Sequence, residues 1–273
     1  LVCALLIPGV SAAVPHGGER AVLLIEGDTD ASSLAARIPG ARVLYEYSLI
    51  DAAALSVPAG LVPQAEKVFS AAPGVTDVSV SATFLAPDGA AQSASPPEVS
   101  PDDKTLRAKD GAAGAGTLIA VLDTGFDLAH PSFAALPEGA AEAISEEGFA
   151  EAVTDTYAVY SEGRDGIGEV WHSAKVPFAY DYADGDTDVA GASAHGTHVA
   201  AIAGASTAGG GKLNGTAPGA QLALMKVFND AGTSCSEHAL ILAVEDAVRL
   251  GASVIVVHPI QNLVYWKRDN ARR

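Results

Sequence analysis

The chain has 273 residues, a formal net charge of −17 at pH 7, and 49% hydrophobic but only 6% aromatic residues. Such a composition excludes a disordered chain and calls for a core of Ala, Val and Leu, and the length suits more than one folding unit. The acidity excludes nucleic acid or an anionic membrane as the main partner, since both require a basic footprint.

Residues 1–13 combine an apolar stretch, a break at Pro8-Gly9 and the small residues Ser11, Ala12 and Ala13. This is the pattern of the back end of a secretory signal and its cleavage site. Neither an initiating Met nor a basic leading region is present, so the expectation is a record that starts within the signal; a short strand or core segment is the alternative. No later stretch is long and apolar enough to span a bilayer. Of the two cysteines, Cys3 would leave with the signal and Cys235 would stand alone, giving an exported mature protein without an internal disulfide.

Residues 21–84 have a rhythm of their own. Residues 21–25 read as a buried strand and residues 30–37 as a short helix opened by the acidic cap Asp30. Residues 42–47 and 53–57 are strand-like around a turn at Asp51. Residues 63–71 are helical, stopped by Pro73-Gly74, and residues 75–84 alternate as a strand does. The order β-α-β-β-α-β is the split βαβ arrangement, with any small α+β domain as the plainer alternative. Residues 86–101, rich in Pro, Ser and Gly, read as an exposed linker, the kind of segment a protease cuts.

From Gly116 onward strands and helices alternate. Residues 117–122, 222–228 and 253–257 are nearly unbroken apolar runs, as in strands covered on both faces. Residues 237–250 form a helix ended by Gly251 as a C-cap. Buried strands separated by helices predict a parallel α/β sheet. Residues 138–173 are polar and acidic, fit neither period, and read as an excursion over the surface rather than core.

Two motifs carry chemistry. Asp123 ends the first of these strands and is followed by Thr124-Gly125, at the carboxyl edge where open α/β sheets gather functional groups. His195-Gly196-Thr197-His198-Val199 places an imidazole on the first turn of an apolar helix of small residues. A carboxylate that orients an imidazole is half of an activated-nucleophile constellation.

Val121-Leu122-Asp123-Thr124-Gly125 and His195-Gly196-Thr197-His198-Val199-Ala200 resemble the Asp and His signatures of the subtilisin-like serine peptidases, the subtilases. Asn214-Gly215-Thr216-Ala217-Pro218 and Gly251-Ala252-Ser253-Val254-Ile255 are similar to further family segments, and residues 176–182 resemble the larger cell-envelope, lactocepin-like branch. The resemblance covers about residues 20–256. It implies a parallel-sheet catalytic domain over residues 102–273, of which this is the first half, preceded by an inhibitory propeptide over residues 14–85 that acts as an intramolecular chaperone. It also implies a secreted or cell-envelope serine endopeptidase, made as a zymogen, that acts on polypeptides. Asp123 would hold one tautomer of His195, and His195 would pass a proton from a Ser hydroxyl to the leaving amine. The separation of 72 positions exceeds the family's roughly 30, and the excess falls in the 138–173 excursion.

The family places its Ser roughly 150 residues beyond the His, so the nucleophile and the oxyanion-hole Asn are expected to lie outside this chain. Ser234, in Gly232-Thr233-Ser234-Cys235-Ser236, imitates the Ser signature but stands where the family lines its substrate cleft, so Gly232 is the candidate cleft wall. After Val256 the text turns basic and aromatic, which reads as a frameshift or truncation, or as a basic tail for an anionic partner. The rival function is a non-catalytic one, a propeptide-type inhibitor or peptide-binding module.

Other signals are weaker. His195, His198 and Asp123 lack the Glu that activates water in helix-borne zinc sites, so no catalytic metal is expected, and His198 reads as a packed structural residue. Residues 184–188 alternate carboxylates but lack the distal bidentate Glu of a calcium loop, so a solvated acidic loop is the reading. The family often carries structural calcium, at a site the sequence does not locate. The glycine run 111–116 precedes a strand rather than following one, which excludes a dinucleotide loop. No cofactor is required.

Overall fold

The computed structural model describes residues 20–85, 113–162 and 168–257. The segment read as a signal, the linker at 86–101 and the basic, aromatic stretch after Val257 lie outside the described residues. The chain divides into two compact units, whose described residues are 20–85 and those from 113 onward.

The first unit contains β1 (Arg20–Gly27), α1 (Ala31–Ala35), β2 (Arg42–Tyr47), β3 (Ala52–Pro58), α2 (Val62–Ser70), β4 (Val75–Val80) and the short β5 (Thr83–Leu85). Strands β1–β4 form one antiparallel sheet in the order β2-β3-β1-β4, which is the split βαβ topology. Asp30 caps α1 as its sequence position suggested: Oδ1 accepts from Ser33 N–H at 3.1 Å and Oδ2 from the Ser33 hydroxyl at 2.7 Å. Alternate residues of the strands, Leu23, Ile25, Leu55 and Val57, bury against Leu34 of α1 and Phe69 of α2. The expected strand over 75–84 is broken at Ser81-Ala82, where the pairing with β1 ends.

The second unit contains β6 (Leu118–Asp123), α3 (Phe149–Val153), α4 (Tyr157–Glu162), β7 (Phe178–Asp181), α5 (His195–Gly204), β8 (Gln221–Lys226), β9 (Ser234–Ser236), α6 (Glu237–Arg249) and β10 (Val254–Val257). Four of the strands form a parallel sheet in the order β10-β6-β8-β7. Every residue of β6, β7 and β8 is buried, as the unbroken apolar runs required. Ile119, Val121, Leu222, Leu224 and Ala179 share one core cluster with Ala200 of α5. By the period of two along a strand, Asp123 therefore points to the α5 face. Ser236 caps α6 by accepting from Ala239 N–H at 3.1 Å, and Gly251 follows its end in the left-handed region (φ +74).

The 138–173 excursion is a correction. It contains α3 and α4, and Phe149, Val153, Ala158 and Val159 are buried. The buried Asp246 on α6 accepts from Tyr157 N–H at 2.7 Å and Ala158 N–H at 3.2 Å, satisfying the first donors of α4, and it also accepts from the Tyr182 hydroxyl at 2.7 Å. Gln221 at the start of β8 accepts from Ala143 N–H and Ile144 N–H and donates to the Ile144 and Ala174 carbonyls. Two helices of five and six residues are too short to display a 3.6-residue period, which is why the segment read as featureless surface.

Candidate functional site

Asp123, the last residue of β6, is fully buried. Its Oδ1 accepts from Thr124 N–H at 2.7 Å and from the Thr124 hydroxyl at 3.0 Å, which fixes the carboxylate plane. His195 Nδ1 lies 2.9 Å from Oδ1 and 3.1 Å from Oδ2. An ionised carboxylate only accepts, so Nδ1 carries the hydrogen, and the neutral imidazole keeps its lone pair on Nε2. The ring is one-third exposed (32%) while its partner is at 0%. The structure thus brings together the two residues singled out across 72 positions of sequence.

This approach depends on backbone meeting backbone. A Cβ on Gly196 would lie 2.4 Å from the Gly125 carbonyl oxygen and 3.0 Å from Asp123 Cβ. One on Gly191 would lie 2.4 Å from the Thr124 carbonyl oxygen. Only glycine lets α5 and its approach close onto the end of β6. The contact is then tied: Asp127 N–H donates to Thr197 Oγ1 at 2.9 Å, Phe126 N–H donates to the Val189 carbonyl at 2.8 Å, and His195 N–H donates to Ser193 Oγ at 3.2 Å. The His-Gly-Thr run is therefore a ring, a space and a tether in sequence.

Gly232, the candidate cleft wall, is buried, has φ +68, and stands 3.4 Å (at its would-be Cβ) from Ser193 Cβ and 3.7 Å from Thr124 Cβ. It thus borders the residues beside both Asp123 and His195. Its loop is closed by Asn229, whose Oδ1 accepts from Thr233 N–H at 2.9 Å and whose Nδ2 donates to Ser234 Oγ at 3.0 Å. The Ser234 hydroxyl is thereby engaged in holding the loop. Cys235 is a buried free thiol, which burial pushes up to about 12.

His198 departs from the expectation of a packed residue: it is exposed, one turn along α5 from His195. The only described residues grouped closely enough to hold a cation are Asp181, Asp184 and Asp230. The ammonium of the fully buried Lys226 already sits among them, donating to Asp181 Oδ2 and, at 2.8 Å, to Asp230 Oδ1. Burial opposes its charge, but hydrogen bonds to Asp181 and Asp230 outweigh that and raise its pKa above the usual lysine value. A resident positive charge makes this cluster a poor fit for calcium. Lys226 is the residue that sequence reasoning missed. It pairs in register with Asp123 on one side and Asp181 on the other, and Ala192 N–H donates to the Asp230 carbonyl at 3.0 Å. A lone lysine in the apolar run 222–228 was the signal, since a charge inside a buried strand demands a partner.

Comparison with known proteins gives the family and the fold. Residues 114–257 match the model of the subtilase family. The chain is 32% identical over 243 residues to a C5a peptidase of Streptococcus pyogenes serotype M3, covering 84% of this chain and 19% of that protein. It is 34% identical over 150 residues to a PII-type proteinase of Lacticaseibacillus paracasei, covering 52% of this chain and 7% of that protein. The chain thus spans about a fifth or less of the length of these curated relatives. In fold it is similar to fervidolysin from Fervidobacterium pennivorans, a keratinolytic enzyme related to subtilisin, with a TM-score of 0.50 at 19% identity over 87% of this chain and 35% of that one. The family match takes in both β6 with Asp123 and α5 with His195: the chain belongs to the subtilase family.

Proposed function

We propose that the protein is an exported serine endopeptidase in which Asp123 orients and His195 acts as general base. The observation that carries this reading is the Nδ1-to-carboxylate contact at 2.9 and 3.1 Å on a buried Asp. His195 Nε2 takes the proton from a serine hydroxyl as its Oγ bonds to the scissile carbonyl carbon. The same proton then goes to the leaving amine as the C–N bond breaks, and water repeats the sequence to release the acyl group. Asp123 stabilises the imidazolium that forms at each transfer. In this reading the serine lies outside the described residues, Gly232 lines the substrate cleft, and no cofactor takes part.

Residues 14–85 act in the same proposal as the inhibitory propeptide, a role supported by the split βαβ sheet of residues 20–80. Export to the medium or the cell envelope is supported by the signal-like pattern of residues 1–13. Among the described residues no helix is long and apolar enough to cross a membrane.

The test is peptide hydrolysis by the full translated product of the gene. Asp123→Asn is expected to lower kcat about 10⁴-fold, the magnitude found when the same contact is broken in other serine peptidases. Undiminished hydrolysis by His195→Ala would sink the assignment. The 273-residue polypeptide on its own is expected to hydrolyse no peptide, and labelling of one of its serines by a fluorophosphonate would overturn that part.

A further inference from the structure

Lys226 is the last residue of β8, in register with Asp123 at the end of β6 and with Asp181 at the end of β7. Residues in register on neighbouring parallel strands project to the same face. The Lys226 side chain therefore lies on the α5 face, the side from which His195 approaches Asp123. The proton-transfer chemistry has no use for a cation there, and a buried ammonium is strongly unfavourable unless it is paired.

Its partners stand at the two ends of the segment that delivers His195. Asp181 opens that segment, and its buried carboxylate serves two sides. Oδ2 accepts from the ammonium, while Oδ1 accepts from Ala183 N–H at 2.8 Å and Asp184 N–H at 3.2 Å, which fixes the turn leading away from β7. Tyr182 N–H also donates to the Lys226 carbonyl at 2.8 Å. The segment then reaches the loop after Asp123, where the Val189 carbonyl accepts from Phe126 N–H at 2.8 Å. At its far end Ala192 N–H donates to the Asp230 carbonyl at 3.0 Å, and the ammonium holds that same residue through Asp230 Oδ1 at 2.8 Å. The Asp230 side chain is exposed, so this second ion pair is weak by itself. The buried bond to Asp181 is the one that anchors the cation.

We infer that Lys226 is a positioning residue for the Asp123–His195 pair: by holding Asp181 and Asp230 it fixes both ends of residues 181–192, and with them the distance at which the imidazole meets the carboxylate. It acts through the main chain rather than on the reacting atoms. That the pair transfers protons rests on the peptidase reading above; the placement of the ring does not.

The experiment follows the low-field His195 Nδ1–H resonance of the isotope-labelled 273-residue chain by NMR, with urea unfolding measured alongside. The variants are Lys226→Met, Lys226→Met/Asp181→Asn and, as a control for stability alone, Gln221→Ala. Gln221 begins the same strand and makes its hydrogen bonds to residues 143, 144 and 174, away from the segment before His195. In Lys226→Met the resonance is expected to move upfield and its hydrogen to exchange with solvent about tenfold faster. Adding Asp181→Asn removes the unpaired buried carboxylate and keeps an Oδ1 acceptor for the turn, so stability recovers in part while the resonance stays displaced. Gln221→Ala should lower stability and leave the resonance where the parent has it. Should Lys226→Met fail to fold, the double variant decides. A resonance unmoved by the loss of Lys226, one that returns with stability in the double variant, or an equal displacement in Gln221→Ala each overturns the inference. Because no hydrolysis is measured, failure here is distinct from failure of His195→Ala to abolish activity.

Discussion

Gly196→Ala sets two effects of opposite sign against each other at the second residue of α5. On helix propensity alone the change should stabilise, by about 1 kcal/mol at an interior position and less near an end. The structure reverses the sign. The new methyl would sit 2.4 Å from the Gly125 carbonyl oxygen, 3.0 Å from Asp123 Cβ and 3.1 Å from Phe126 Cε1, and the first of these is roughly 1 Å inside van der Waals contact. Two backbone segments form the clash, so no side-chain rotation relieves it; α5 must retreat from β6. Overpacking of this kind costs about 1–3 kcal/mol, which leaves a net loss of about 1–2 kcal/mol after the propensity gain. A retreat of about 1 Å would also carry His195 Nδ1 from its 2.9 Å contact beyond hydrogen-bond range. In the active protein such a displacement costs about 10²-fold in rate. Urea unfolding of the 273-residue chain gives the stability change, and the low-field proton resonance of His195 Nδ1–H reports the contact. A variant as stable as the parent, with that resonance unmoved, would refute the reasoning.

The buried charges give two further tests. Lys226→Met leaves the buried Asp181 without its ammonium and is expected to cost about 3–5 kcal/mol in urea unfolding, with partial recovery when Asp181→Asn is added; a loss below 1 kcal/mol would show that Lys226 is not the hub described. Burial, working against hydrogen bonds from Tyr157, Tyr182 and Ala158, pushes the Asp246 carboxyl up to about 6. Its folded value is thus above its unfolded one, so its contribution to stability is present below the usual carboxylate range and lost as pH rises through about 6. The stability of the parent relative to Asp246→Asn should accordingly fall between pH 4 and pH 7, by on the order of 3 kcal/mol, and a difference flat with pH would contradict this.

The legible parts of this chain were those where local and tertiary demands coincide. The apolar runs around Val121, Leu224 and Ile255 announce strands because both faces are covered, and Asp123 announces itself by interrupting such a run at its carboxyl end. His195 is legible for the same reason: a polar ring at the head of a helix of small residues has no packing role to play. What was not legible depends on distant partners. Asp246 looks like an ordinary helix-surface acid until α4, nearly ninety positions earlier, is seen to end on it. The burial of α3 and α4 is invisible for the same reason, since a five-residue helix shows no period and its apolar residues find their neighbours only after the sheet has formed. His198 runs in the opposite sense: it reads as a packed residue, yet one turn along α5 from His195 it is exposed.

The close approach of α5 to β6 has an evolutionary consequence. The alignment of Asp123 with His195 is secured by the lack of side chains at Gly125, Gly191 and Gly196 and by the hydroxyls of Thr124, Ser193 and Thr197, whereas exposed neighbours such as Asp127 and Asp188 lend it no side chain. Mutation can therefore rewrite those exposed loop positions without detuning the pair, and changes that detune it strike a glycine, one of these hydroxyls or Lys226. Diversification of the surrounding loops about an unchanging Asp–His pair is the course this division leaves open.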